Sequence, residues 1–348
     1  MTIARLAAAG LAAALVSATI LACSPRPPED RAADLVVYSS HPEDLAKAIV
    51  DEFRERTGLR VRVVSDGTGA LLARLGRGEG PDADVLWGGG AESLVANIGL
   101  FEAYASPERE AIPRSLRDED GYWTGFTVLP MVIIYNARLV PEAAAPRSWA
   151  DLLSPALQGS VAYADPSASG SSYTILRTMI VASSAAVASS AADPDGTESG
   201  WRLVEGFIGA IGGEPLAESA MVYKGVAAGE YLAGATYENA GADARRLGSD
   251  VSVVYPLEGT SAVPDGVAII RGAPHPEAAR RFVDFALGGD VARVVTARFK
   301  RRSARSDAPV PDGLPPLDSI RLVDYDFDAA VTRREATLGR FKALLSGY

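Results

Sequence analysis

The chain has 348 residues, 48% of them hydrophobic, a single cysteine and a formal net charge of −10 from 34 Lys and Arg against 44 Asp and Glu. That length fits two domains, and one cysteine rules out a disulfide within the chain, so a hydrophobic core must carry the fold. The acidic balance excludes nucleic acid as the partner, because phosphate-backbone binding needs basic patches. A small ligand stays open, since its site is a local matter.

Arg5 is the only charge ahead of an apolar run from Leu6 to Ala22. The run is shorter than the ~20 residues of a membrane span, and residues 1–22 read as a secretory signal peptide. Ile20-Leu21-Ala22-Cys23 resembles the bacterial lipobox, which implies that Cys23 becomes the lipidated N-terminus. The competing reading is an ordinary signal peptide followed by a chance cysteine. Residues 23–33, with Ser24-Pro25-Arg26-Pro27-Pro28, are proline-rich and charged and are predicted to be an extended tether. The expected location is extracytoplasmic, with the protein held at a membrane surface by lipid.

Beyond the tether, strands and helices alternate. Leu35–Tyr38 reads as a buried strand, Pro42–Thr57 as an amphipathic helix closed by Gly58, and Leu59–Val64 as an alternating strand. A helix over Gly69–Leu75, a strand over Ala83–Trp87 and a helix over Ala91–Ile98 follow. This order predicts an α/β fold with a parallel sheet covered on both faces. Strands are expected at Val128–Tyr135, Ser160–Ala164, Val251–Tyr255 and Val267–Ile270. Helices are expected at Ser171–Ser183, Trp201–Ala210, Val222–Ala228, Gly241–Leu247 and Pro276–Leu287, with one closing helix over Ala329–Leu345. Ala191–Thr197 reads as a polar loop, and there is no internal repeat.

Four stretches carry a family resemblance: Val37-Tyr38-Ser39-Ser40-His41-Pro42-Glu43-Asp44, Asp82-Ala83-Asp84-Val85-Leu86-Trp87, Asp165-Pro166-Ser167-Ala168-Ser169-Gly170-Ser171-Ser172, and the run from Tyr255 to Gly266. Together they resemble the extracellular solute-binding proteins of ABC importers, within the group that takes ferric iron, phosphoglycerate, aminoethylphosphonate and hexose phosphates. The resemblance implies a two-lobed (type II) periplasmic-binding-protein fold that closes on its ligand like a hinged clamp. The lobes would be residues 34–130 with 262–305, and residues 131–261 with 306–348. It also implies ABC permease subunits as partners, with the protein acting as a monomer and without a cofactor.

Ferric members of that group place adjacent tyrosines at a strand end. Here Tyr237 is followed by Glu238, and the acidic ligand some members carry after the third strand falls in Gly88-Gly89-Gly90. Ferric ion prefers several anionic oxygens, and His41, Tyr237 and Glu238 make only a partial set, so iron is the alternative cargo. The favoured cargo is a small anionic, phosphorylated organic solute. Three predicted helix starts meet the C-terminal edge of the strands, at Ser39-Ser40-His41, at Thr68-Gly69 and at Ser169-Gly170-Ser171-Ser172. Exposed N–H groups and the helix dipole suit such starts to phosphate or carboxylate, although each cluster alone also fits N-capping. Gly89 and Gly90 offer backbone. Asp265 reads as a turn residue or as the acceptor of a ligand hydroxyl or amine. Glu238 is expected to face the cleft and to read the far end of the ligand.

Other signals carry less. Gly67-x-Gly69-x-x-Leu72 lacks the third glycine of a dinucleotide fingerprint. Asp324-x-Asp326-x-Asp328 lacks the turn glycine of a calcium loop and reads as a helix cap. The basic run Arg298, Lys300, Arg301, Arg302 and Arg305 reads as a solvated face, as positive charge near the hinge, or as a docking surface for the permease. No nucleophile, base and orienting group fall into a catalytic pattern, so an enzyme is not expected.

Overall fold

The computed structural model describes residues 33–80, 82–185 and 197–348. The expected signal peptide, nearly all of the expected tether and most of the expected polar loop at 191–197 lie outside these residues.

The first sheet begins with β1 (Leu35–Ser39), β2 (Val61–Ser65) and β3 (Val85–Gly90), linked by α1 (Glu43–Thr57) and α2 (Thr68–Gly76). The strand β1 pairs in parallel with both β2 and β3. After α3 (Ala91–Ala96) and the short β4 (Phe101–Glu102) comes β5, thirteen residues from Thr124 to Asn136. The next elements are β6 (Val161–Ala162), α4 (Gly170–Ala185), α5 (Thr197–Ala210), α6 (Ser219–Ala228), β7 (Ala233–Tyr237), α7 (Glu238–Arg246), β8 (Val251–Val254) and β9 (Ala262–Ile270). The chain ends with α8 (Pro276–Leu287), α9 (Gly289–Phe299), β10 (Arg302–Ser303), α10 (Phe327–Thr332) and α11 (Arg334–Gly347).

Strand β5 joins two sheets by changing partners along its length. Thr124–Pro130 pairs antiparallel with β9, whereas Met131–Asn136 pairs with β7 and β8. At the change, Met131 N–H donates to the Ser261 carbonyl at 2.9 Å, and Thr260 Oγ1 donates to the Met131 carbonyl at 2.5 Å. The sheet is therefore mixed rather than all parallel, because β9 returns from the far lobe and runs against β3.

Each lobe buries both faces of its sheet, as period-2 side-chain alternation requires. On β1, Leu35 and Val37 pack with Phe53, Phe282 and Val291, while Val36 and Tyr38 pack on the opposite face with Leu71 and Leu94. In the far lobe, Met131 and Ile133 pack with Trp149, Leu176 and Phe207, while Val132 and Ile134 meet Val222 and Val226. This alternation explains how apolar strands with covered faces form with so few exposed large hydrophobics.

The C-terminal stretch departs from expectation. The closing helix is two helices, α10 and α11, with Arg333 between them. The stretch also serves both lobes: Tyr325 and Phe327 pack on the core of the first, and Phe341 inserts into the core of the second. Helix α9 was not predicted at all; its start, Gly288-Gly289, reads locally as a breaker. Asp326 accepts from Ala329 N–H at 2.9 Å and caps α10, as the capping reading of the aspartate run expects.

Candidate ligand site

A cavity of about 270 Å³ lies between the lobes, at the C-terminal edges of the strands, the usual ligand position in α/β sheets. Its wall is mostly hydroxyls, glycines and helix starts. Ser40, His41 and Pro42 lead into α1; Gly67, Thr68 and Gly69 open α2; Ser169, Gly170 and Ser171 open α4. Ser219 is the first residue of α6, and Tyr237 precedes α7. The positive dipole ends of five helices thus surround one space.

Local packing fixes this wall. Gly88 and Gly89 have φ of 114° and 89°, in the region that favours glycine, and a side chain at either would strike Ser40 or Thr68. Thr68 Oγ1 donates to Ser40 Oγ at 3.0 Å, joining the first two helix starts. Ser169 Oγ lies 3.1 Å from Ser171 Oγ and accepts from Ser172 N–H at 3.2 Å, so it caps α4.

Behind these starts sits a buried polar cluster. Asp265 Oδ1 accepts from Thr127 N–H at 2.9 Å and from Thr127 Oγ1 at 2.5 Å. Its Oδ2 accepts from Arg301 Nη2 at 2.7 Å. His41 lies with Nδ1 at 3.7 Å from the same carboxylate oxygen, wedged between Trp87 and Phe126. Burial pulls the imidazole down to about 4; Asp265 opposes that shift, but its charge is already matched by Arg301. His41 is therefore neutral near pH 7. Its Nε2 and the Arg301 Nε are buried without a hydrogen-bond partner.

The cavity also holds a charge that sequence reasoning missed. Arg334, the first residue of α11, lines it with the guanidinium stacked over the Tyr173 ring at 4.2 Å. Among the described residues no carboxylate lies within ion-pair distance of Arg334. Nothing near position 334 in the sequence marks it, because only the return of the C-terminal stretch across both lobes brings it to the cleft. Arg301 was visible only as one member of a basic run, and Ser93 and Ser219 carried no signal.

Of the expected site residues, Ser40, His41, Thr68, Gly69, Gly89, Gly90, Ser169, Gly170, Ser171, Tyr237 and Asp265 line the cavity. Three do not. Ser39 is fully buried and its Oγ accepts from His41 N–H at 3.2 Å. Ser172 is buried, and its backbone carbonyl accepts from Tyr163 OH at 2.7 Å. Glu238 points away from the cleft and is gripped by Arg302, whose Nε and Nη2 donate to its two oxygens at 2.8 Å each; Tyr255 OH adds a third bond at 2.6 Å. Arg301 and Arg302 are both buried, so the basic run is not simply a solvated face.

A family model for bacterial extracellular solute-binding proteins matches residues 81–329. The chain belongs to this family. This solute-binding protein is 26% identical over 268 residues to Iron uptake protein A1 of Synechocystis, which covers 72% of this chain and 70% of the relative. It is 25% identical over 276 residues to a putative 2-aminoethylphosphonate-binding periplasmic protein of Salmonella typhimurium, covering 75% and 74% of the two chains. Its fold matches the periplasmic binding protein AfuA from Actinobacillus pleuropneumoniae, solved with fructose-6-phosphate, at a TM-score of 0.80 and 22% identity, over 90% of this chain and 98% of that one. The family is that of ABC-importer solute-binding proteins, and its members are binding proteins rather than enzymes. No helix among the described residues is long and apolar enough to cross a membrane.

The metal chemistry of this solute-binding protein is sparse. No group of three or more His, Cys, Asp or Glu among the described residues could hold a metal ion. Among the described residues Tyr237 is the only tyrosine lining the cavity, and burial pushes its hydroxyl up to about 12, which keeps it protonated. Tyr223 stacks edge-on at 6.4 Å from Tyr237 but does not line the cavity.

Proposed function

We propose that the cleft captures a small anionic organic solute, a phosphate ester or phosphonate, and that the protein, acting as a monomer, hands it to an ABC permease. Arg334 carries this reading. It brings to the cavity wall a positive charge with no acidic partner among the described residues, whereas the charge of Arg301 is matched by Asp265. An anion bound there would also meet the N–H groups of the surrounding helix starts and the hydroxyls of Ser40, Thr68, Ser169 and Ser171. The unpartnered His41 Nε2 and Arg301 Nε supply further polar contacts.

The same proposal places the protein outside the cytoplasm, tethered by lipid on Cys23. A ferric cargo is the weaker reading, because a hard trivalent cation would face one protonated tyrosine, one carboxylate already paired with Arg301, and two arginines. Titration calorimetry with phosphate esters and phosphonates tests the main reading: saturable binding with one site per chain supports it. Tight ferric binding with a tyrosinate charge-transfer colour, and no response to any organic anion, refutes it.

A further inference from the structure

A smaller pocket of about 50 Å³ opens off the cleft and shares Gly90, Ser93, Leu129, Gly170, Ser171 and Arg334 with it. Its remaining wall is formed by Met131, Val263, Tyr173 and Thr174, with one carboxylate, Glu92 of α3. Glu92 is only 5% exposed. Its Oε1 accepts from Thr174 Oγ1 of α4 at 2.7 Å and from Tyr325 OH of the C-terminal stretch at 2.7 Å. No described residue donates to Oε2, and no Lys, Arg or His among them lies within ion-pair distance of Glu92. The glycine at 90 makes room for this arrangement, since a Cβ there would stand 3.0 Å from Oε2.

A buried carboxylate ordinarily has a cationic partner or a full set of hydrogen bonds. Here one oxygen is fixed by donors from the second lobe and the C-terminal stretch, and the other is open to a pocket that adjoins the ligand cavity. The pocket has room for one or two non-hydrogen atoms. We infer that Glu92 is a specificity-determining residue that takes a protonated amine of the ligand, so that the preferred solute is zwitterionic. This rests on the reading of the main cleft as an anion site. The amine supplies a cation within ion-pair distance, which neither Arg334 on the pocket wall nor any other described residue provides, and a donor to Oε2. Thr174 and Tyr325 are positioning residues, which aim the carboxylate and couple amine recognition to the approach of the two lobes. Helix dipoles and Arg334 hold an anion whatever its tail; Glu92 sorts anions by that tail.

The test is titration calorimetry of the purified full-length chain with three probes sharing one phosphate group: phosphoethanolamine, ethyl phosphate and glycerol 3-phosphate. Phosphoethanolamine should bind about 10–100-fold more tightly than ethyl phosphate, the range of a charge-assisted hydrogen bond, with glycerol 3-phosphate between them. In Glu92→Gln that preference should fall towards unity. Gly90→Ala, which crowds Oε2 without changing the charge, should lower it in the same direction. Circular dichroism melts of both variants confirm that each is folded. Equal binding of phosphoethanolamine and ethyl phosphate overturns the Glu92 subsite and leaves the anion site standing. A preference that survives Glu92→Gln overturns it as well. Failure of all three probes to bind overturns the subsite together with the anion reading beneath it.

Discussion

Arg302 and Glu238 form a buried two-pronged ion pair, with both nitrogen–oxygen distances at 2.8 Å and Tyr255 OH closing a third bond at 2.6 Å. Both side chains are at most 5% exposed. Arg302 also donates to the Pro315 carbonyl at 2.6 Å, so the pair ties the start of α7 to the C-terminal stretch. Removing one partner leaves the other charge buried and unmatched. Glu238→Gln and Arg302→Met should each cost about 3–5 kcal/mol of stability, read as a lowered denaturant midpoint. Neither should reorder a panel of ligands, and a changed ranking in Glu238→Gln would return that carboxylate to the cleft.

Arg334 offers the sharpest test of charge in the cleft. Arg334→Gln keeps a polar side chain over Tyr173 but removes the positive charge. Affinity for a phosphate ester should fall about 10–100-fold, as for loss of a charged hydrogen bond, with the melting temperature of the unliganded protein little changed. Binding to the parent protein should also weaken with added salt more steeply than binding to the variant.

His41 should make the fold acid-sensitive. Its folded value, about 4, lies below the ordinary 6.5, so the unfolded chain takes up the proton first. Stability that depends on the neutral ring is complete above pH 6.5. It is lost as pH falls from 6.5 to 4, by up to about 3 kcal/mol. His41→Gln should flatten that part of the profile. Denaturant unfolding at half-unit pH steps checks it, and a parent profile that is flat over this window contradicts the burial of a neutral imidazole.

Cys23→Ser should leave the protein unprocessed or released from the membrane, as judged by fractionation and by the mass of the mature N-terminus. Membrane retention with the signal removed would mean that something other than lipid on Cys23 holds it.

The helix starts were legible in the sequence because their chemistry is local. Clusters such as Ser39-Ser40-His41 and Ser169-Gly170-Ser171 announce a cap or an anion site by composition alone, and most of their residues do line the cavity. What failed was direction. Tyr237 is the last residue of β7 and Glu238 the first of α7, so neighbours in sequence sit in different elements. Tyr237 reaches the cavity, whereas Glu238 is held by Arg302. Ser39 and Ser172 were misplaced for the same reason: a hydroxyl in the right cluster still has to face the right way. Arg334 and Glu92 were invisible because their setting is made by long-range contacts. Glu92 meets Tyr325, 233 positions away, and Thr174, 82 positions away.

The most direct measurement is calorimetric titration of the purified protein and of its Arg334→Gln variant with one phosphate ester, at low and at physiological salt. The account predicts one site per chain in the parent protein, weakened by salt, and a loss of about 10–100-fold in the variant with a shallower salt dependence. Equal affinity of the two proteins at both salt concentrations, or tight ferric binding with no response to any organic anion, would contradict it.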